Sequence, residues 1–290
     1  MIEASASIFL PRHLGCAHGR SLTLGPAGAL MAIVNVTPDS FSDGGQFENT
    51  EAAVAFGLQA VAAGAAVLDI GGQSTRPGAA DVAPAEEQDR VLPVIEALAA
   101  RTDALISIDT YHAETARLAV AAGAHIVNDI SGGTAEPEIL AVTATSGAAY
   151  CLMHTSRRPD MVSDPMADQF AFLEKALGAA RAAGLADDRL VIDPGFGFGK
   201  DSDDNLAIMT HLERLHTLGL PLLIGTSRKR FVAALAGADD NLSRDFATAA
   251  TTALLRLAGG AIFRVHNVAA NRAALAAADA IISRRYGDRS

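Results

Sequence analysis

The sequence has no tryptophan, 5% aromatic residues and only two cysteines in 290 positions. Two thiols cannot build a disulfide framework, and Cys151, inside an apolar run, reads as a small buried hydrophobe. Charge is also sparse: 19% of residues are ionisable Asp, Glu, Lys or Arg, and the formal net charge is −10. An acidic balance argues against general binding to nucleic acid or anionic membranes, so no partner of either kind is expected. Any anionic ligand must instead be met by a local cluster of basic side chains. No apolar stretch reaches membrane-spanning length, and no basic region precedes an apolar core near Met1. The expected compartment is a reducing cytoplasm.

What the chain does have is a hydrophobic content of 50%, enough for a large core, and a rhythm. Aliphatic runs recur at Met31–Val34, Ala66–Leu68, Leu105–Ile108, His125–Val127, Ala149–Met153, Leu190–Ile192, Leu222–Ile224 and Ala261–Phe263. Between them lie Ala-rich segments with helical spacing, such as Val54, Leu58 and Val61, or Ala250, Leu254 and Leu257. Gly64, Gly123, Gly147, Gly184, Gly219 and Gly259 stand just before the next run, where a left-handed residue closes a helix. Eight such units predict an α/β fold, a (β/α)8 barrel spanning 29–290. An open doubly wound sheet is the competing arrangement, but its G-x-G-x-x-G turn is missing. Residues 1–28, with Ser7–Leu10 and Ser21–Leu24 as strand-like pieces, predict a β-hairpin plugging the barrel's N-terminal end.

Polar residues gather where the runs end, on the rim where barrels carry their sites. The first run leads into NVTPDSFSDGG (Asn35 to Gly45), a long loop that Pro38, Asp39 and the glycines keep from continuing as a strand. The second leads into GGQSTRPG (Gly71 to Gly78), the third ends in Asp109, and the fourth in Asn128-Asp129. Met153-His154, DPGFGFGK (Asp193 to Lys200), GTSRK (Gly225 to Lys229) and RVH (Arg264 to His266) complete the set. Each has an ordinary reading: Asp109 as a helix cap, Asn128 and Asp193 as turn residues, Phe198 and Met153 as core, Arg76 and Arg264 as solvated charges.

Together they read differently. Two carboxylates and an amide at one rim suit a heterocycle with adjacent N–H donors, such as a 2-amino-4-oxopyrimidine, with Phe198 and Met153 as apolar contacts. Arg76, Arg264 and His266 form a fork for phosphate or diphosphate, and period two places Arg264 and His266 on one strand face. Lys229 follows a turn, which favours a hydrogen-bonding lysine over a Schiff-base lysine. His154, His211 and His216 have no zinc-type spacing, and the last two read as exposed on a helix. Asn35 and a diphosphate are able to share Mg2+, which keeps several waters and needs few protein ligands.

These motifs in combination resemble dihydropteroate synthase, from about Ala29 to Val268. The resemblance implies a barrel, usually dimeric, that condenses 6-hydroxymethyl-7,8-dihydropterin diphosphate with 4-aminobenzoate, with Mg2+ assisting. It further implies a pterin pocket of Asp109, Asn128, Met153, Asp193, Phe198 and Lys229, and a diphosphate site of Asn35, Thr75, Arg76, Arg264 and His266. The aminobenzoate is expected against Phe41, Thr75, Arg76, Pro77, Gly197 and Ser227, with Asp39 and Asp43 ordering the first loop. Lys229, Arg264, His266 and Asp109 carry the expected catalytic roles, and Asn35 the metal.

The chain departs from the family pattern at Gln73, where Glu is usual, and at Tyr111-His112. It also reads Thr-Ser-Arg-Arg-Pro-Asp after His154 in place of Met-Gln-Gly-x-Pro, and Asn267 in place of Asp. A methyltetrahydrofolate-dependent methyltransferase or a pterin-binding paralog of low activity would share the barrel. The Thr75-Arg76-Pro77 loop and the Arg264/His266 fork favour the synthase.

Overall fold

The computed structural model describes residues 7–37, 46–73 and 82–286. The strands are β1 (Arg12–Gly15), β2 (Ser21–Leu24), β3 (Ala29–Asn35), β4 (Val67–Gly71), β5 (Leu105–Asp109), β6 (Ile126–Asp129), β7 (Ala149–Met153), β8 (Leu190–Asp193), β9 (Leu222–Ile224) and β10 (Gly260–Val265). The last eight are parallel and close into a barrel in the order β10-β3-β4-β5-β6-β7-β8-β9. The helices are α1 (Gln46–Ala63), α2 (Pro84–Ala99), α3 (Ala113–Ala121), α4 (Glu138–Ser146), α5 (Pro165–Ala182), α6 (Ser202–Thr210), α7 (Arg230–Ala236), α8 (Asn241–Leu257) and α9 (Val268–Tyr286). The seventh unit thus carries two helices. All six glycines named as helix ends have positive φ. Among the described residues no helix is long and apolar enough to cross a membrane.

Strand alternation divides the core in two. Outward residues such as Leu68, Ile70, Ile106 and Ile108 pack with Val54, Val91, Ile95 and Leu98 of the helices. Inward residues Met31, Val67, Leu105, Ile126, Ala149, Cys151 and Val191 fill the barrel's lower half, joined by Leu14, Cys16 and Leu24 of the hairpin. Burial of each large aliphatic side chain stabilises by about 1.5–3 kcal/mol. The hairpin does plug the N-terminal mouth, but not with the strands expected. Ser21–Leu24 pairs with Arg12–Gly15, in register Leu14↔Leu22, and not with Ser7–Leu10. Phe9 instead stacks on Tyr286 at 5.2 Å, under the Arg256 guanidinium at 5.1 Å.

Two further expectations need correction. His216 is half-buried and its Nε2 lies 2.9 Å from the Ala258 carbonyl, so it is a packed residue and not an exposed one. His211 and His216 do not share one helix either: His211 caps the junction after α6, and His216 lies in the 3-10 segment Leu212–Leu218. In α8 the Ala250–Leu254 stripe faces outward, while Asp245, Thr248, Thr251, Thr252 and Leu255 form the buried face.

Candidate functional site

Period two carries each inward row from an apolar base to a polar top. Val67 is followed inward by Asp69, Leu105 by Ser107 and Asp109, Ile126 by Asn128, Val191 by Asp193, and Ile262 by Arg264. Asp109, Asn128, Asp193 and Arg264 are therefore the last inward positions of their strands, and Asp69 and Ser107 stand one inward position lower. Parallel pairing puts Asn35 in register with Gly71, Gly71 with Asp109 and Asp109 with Asn128; that row continues through Cys151 to Val191, so Asp193, paired with Met153, stands one inward position further along its strand. Gly71 adds no side chain to this layer, and a Cβ there would meet Asp109 Cβ at 3.5 Å.

Arg264 links two of these carboxylates. Its Nε donates to Asp69 Oδ2 at 2.6 Å and its Nη2 donates to Asp109 Oδ2 at 2.5 Å. Asn128 Nδ2 donates to the same Asp69 oxygen at 3.1 Å. Asp69 is the residue that sequence reasoning missed. It is fully buried, and its Oδ1, like the nearby Ser107 Oγ, has no hydrogen-bond partner among the described residues. The available signal was a single carboxylate inside an aliphatic run, which burial forbids without a cationic or donor partner. Burial pushes the Asp109 carboxyl up to about 7, opposed by Arg264 and reinforced by Asp69, Glu87 and Asp129. Burial would lower Arg264, but Asp69 and Asp109 hold its guanidinium firmly charged.

Asp193 closes the opposite wall. Its Oδ1 accepts from the Gly195 amide at 2.7 Å, and burial raises the carboxyl to about 6 against the pull of that bond and of Lys229, Lys200 and Arg264. The turn needs glycine at 195: φ is +66°, and a Cβ would lie 1.9 Å from the His154 carbonyl oxygen. Met153 and Phe198 are buried beside it. Lys229 Nζ sits 4.1 Å from the Phe198 ring centroid, and the Arg157 guanidinium sits 5.1 Å from it. Burial lowers Lys229 to about 8, with Arg264 and Arg157 adding to the effect and Asp193 and Asp109 opposing it. Arg157 belongs to the segment that departs from the family pattern and was not foreseen as a neighbour of Phe198. A Cβ at Gly197 would come within 3.2 Å of Lys229 Cδ, so that glycine admits the lysine stem.

Ser227 and His266 meet across the seventh and eighth strand ends. Ser227 Oγ lies 2.9 Å from His266 Nδ1, and the His266 amide donates to Ser227 Oγ at 3.1 Å. His154 is buried with Nε2 3.0 Å from Asp168 Oδ2, and burial lowers its pKa to about 3, so it is a neutral structural group. Gln73 and Tyr111, two of the departures, meet each other: the Tyr111 hydroxyl donates to Gln73 Oε1 at 3.2 Å. Asp39, Phe41, Asp43, Thr75, Arg76 and Pro77 lie outside the described residues. The remaining site residues lie at the carboxyl ends of the barrel strands or in the segments that follow them.

Comparison with known proteins shows the family. Residues 31–266 match the family described as pterin binding enzyme. The dihydropteroate synthase of Synechocystis is 42% identical over 258 residues, 87% of this chain and 89% of the relative. The Xanthomonas albilineans dihydropteroate synthase solved with 4-aminobenzoic acid superposes with a TM-score of 0.87 at 44% identity, covering 93% of this chain and 98% of that one. The same enzyme in complex with 7,8-dihydropteroate gives a TM-score of 0.83 at 42% identity, covering 91% and 97%.

Proposed function

The chain belongs to the dihydropteroate synthases among the pterin-binding enzymes, and from that premise we propose how its residues divide the work. The reaction joins 6-hydroxymethyl-7,8-dihydropterin diphosphate to 4-aminobenzoate and releases 7,8-dihydropteroate and diphosphate. The methylene carbon–oxygen bond breaks with its electron pair leaving on the diphosphate. A nitrogen–carbon bond to the arylamine replaces it, and the amine gives up one proton.

Asp109 and Asp193 accept hydrogen bonds from the pterin edge, while Asn128 shapes the wall between them. Lys229 donates to the ring from above Phe198, and Met153 supplies apolar contact. Arg264, with two of its five N–H groups committed to carboxylates, offers the rest to diphosphate beside His266 and Asn35. Thr75 and Arg76 are assigned to the same anion. Phe41, Pro77, Gly197 and Ser227 are assigned to the aminobenzoate, and Asp39 and Asp43 to the order of the first loop. An arylamine is neutral near pH 7, so no strong general base is required. Stabilising the departing diphosphate is the larger task, and each preorganised donor contributes roughly 10²–10³ in rate.

Among the described residues, no three His, Cys, Asp or Glu side chains gather as a metal site. That donor set fits an ion held chiefly by substrate oxygens and water, with the Asn35 amide oxygen as a protein ligand. Mg2+ so held would neutralise leaving-group charge. Leu235, Leu242, Phe246 and Leu254 are 53%, 61%, 63% and 64% exposed on α7 and α8. We assign this apolar face to a second copy of the chain, giving a homodimer; a one-chain mass by light scattering overturns the assignment.

The observation that carries the reading is the buried network in which Arg264 bonds Asp69 and Asp109, Asn128 shares Asp69, and Asp193 adds its charge. A coupled assay for diphosphate release tests it. Release that depends on 4-aminobenzoate is expected; no release, or release indifferent to the arylamine, refutes it and returns the methyltransferase and low-activity readings.

A further inference from the structure

Arg228 stands between Ser227 and Lys229 with φ +56°, a left-handed conformation unusual outside glycine. Such a residue persists only where its surroundings over-determine it. Here the surroundings are the buried face of α8. The Arg228 amide donates to Thr248 Oγ1 at 3.1 Å, and its guanidinium grips Asp245 with both teeth, Nε to Oδ1 at 2.7 Å and Nη2 to Oδ2 at 2.9 Å.

The Asp245 carboxylate is 4% exposed and has a third donor. Asn267 Nδ2 reaches Oδ2 at 3.0 Å, while Asn267 Oδ1 accepts from the Ala270 amide at 3.1 Å at the start of α9. One carboxylate therefore ties the residue after Ser227 to the residue after His266. On the site side, the Ser227–His266 contacts close the same ring. Burial would raise Asp245, but hydrogen bonds from Arg228 and Asn267, with the charges of Arg228 and His266, hold it below the usual carboxylate range.

We propose that Asp245 and Asn267 form a matched positioning pair for the synthase site. Through Arg228 and the backbone at 266–267 they fix Ser227, Lys229 and His266 from behind. The pair gives the Asn267 departure a physical reason. A carboxylate there would stand about 3 Å from Asp245 with no donor between them, a like-charge contact that disfavours ionisation of both groups. With Asn, the amide nitrogen serves Asp245 and the amide oxygen serves α9. The two residues touch no reacting atom; they act through Arg228 and His266.

This inference rests on the synthase reading, and one set of variants separates the two. Asn267→Asp, Asn267→Ala, Asp245→Asn and the exchanged double variant Asp245→Asn/Asn267→Asp would be assayed for kcat, for KM of both substrates and for thermal unfolding. Asn267→Asp should lose at least about tenfold in kcat, as expected when reacting groups are held by a loosened support. Asn267→Ala, which removes the bond without adding charge, should lose less. The double variant removes the like-charge contact but turns an amide nitrogen at position 245 toward Arg228 Nη2, which ends on the same Oδ2 position, so it should recover only part of the kcat lost in Asn267→Asp. A merely structural pair would lower Tm and leave kcat and KM of the folded protein unchanged, which overturns the proposal. So does a double variant no better than Asn267→Asp. If Asn267→Asp does not fold, Asn267→Ala with wild-type kcat is the refuting result. An inactive wild type would instead refute the synthase reading.

Discussion

Asp69→Asn tests the inner wall with little change of shape. Among the described residues, the donors that reach Asp69, Arg264 Nε at 2.6 Å and Asn128 Nδ2 at 3.1 Å, both end on Oδ2, and Oδ1 has no partner. An asparagine with its carbonyl on the Oδ2 side keeps both bonds and sets its amide nitrogen where no donor had pointed. What disappears is the charge. Charge-assisted bonds are roughly twice as strong as neutral ones, so of the about 1.5–3 kcal/mol in the Arg264 bond about half is lost, roughly 3- to 10-fold in kcat/KM. A second effect has a definite sign. Asp69 is one of the carboxylates that raise Asp109, so removing its charge lowers Asp109 from about 7. The acid limb of the kcat/KM profile for the pterin diphosphate should move to lower pH while the plateau falls. Steady-state assays across pH, with thermal unfolding to confirm the fold, measure both. An unchanged plateau, or a limb displaced to higher pH, would refute the arrangement.

Lys229→Ala and Asp193→Asn should each remove most of kcat/KM, roughly 10²–10³-fold, without loss of fold; near-wild-type values would sink the pterin pocket. For the wild type, kcat/KM should rise as Asp193 (about 6) and Asp109 (about 7) lose protons to become acceptors. It should fall again as Lys229 (about 8) loses the proton that makes it a cationic donor, so a flat profile from about pH 5 to about pH 9 contradicts these roles. Sulfonamides, which mimic the arylamine and its acidic group, should compete with 4-aminobenzoate; competition with the pterin diphosphate alone would displace Ser227 and Gly197 from the aminobenzoate site.

Much of the barrel was legible because its signals are local. An aliphatic run that stops in a polar residue, a helix that stops at glycine, and their regular alternation each have a cause within a few residues. β7 and β9 begin and end where the runs do, at Ala149–Met153 and Leu222–Ile224. The failures came where a local pattern had two physical solutions. Ser7–Leu10 is apolar enough to pair, yet Phe9 found a ring at Tyr286, and the less apolar Arg12–Gly15 took the strand. The helical spacing of Ala250 and Leu254 left open which face of α8 is buried, and it is the face of Asp245, Thr248, Thr251 and Thr252, whose side chains find partners inward.

The site divides along the same line. Asp109, Asn128 and Asp193 stand at strand ends beside turn residues, so their position could be read without knowing their partners. Asp69 could not, because its meaning lies in Arg264, 195 residues away, and only closure of β10 onto β3 brings that guanidinium to β4's neighbourhood. Asp245 is hidden for the same reason. On a helix it looks like any solvated carboxylate, until α8 turns it inward to Arg228 and Asn267. A buried charge must find its donors, and a closed barrel supplies them from strands far apart in the chain. Ligand-facing residues are therefore legible from where the strands stop, whereas the residues that hold them are legible only from which strands and helices meet. Substitutions at Asp69 and Asp245 probe that second kind of information, which motif matching alone does not reach.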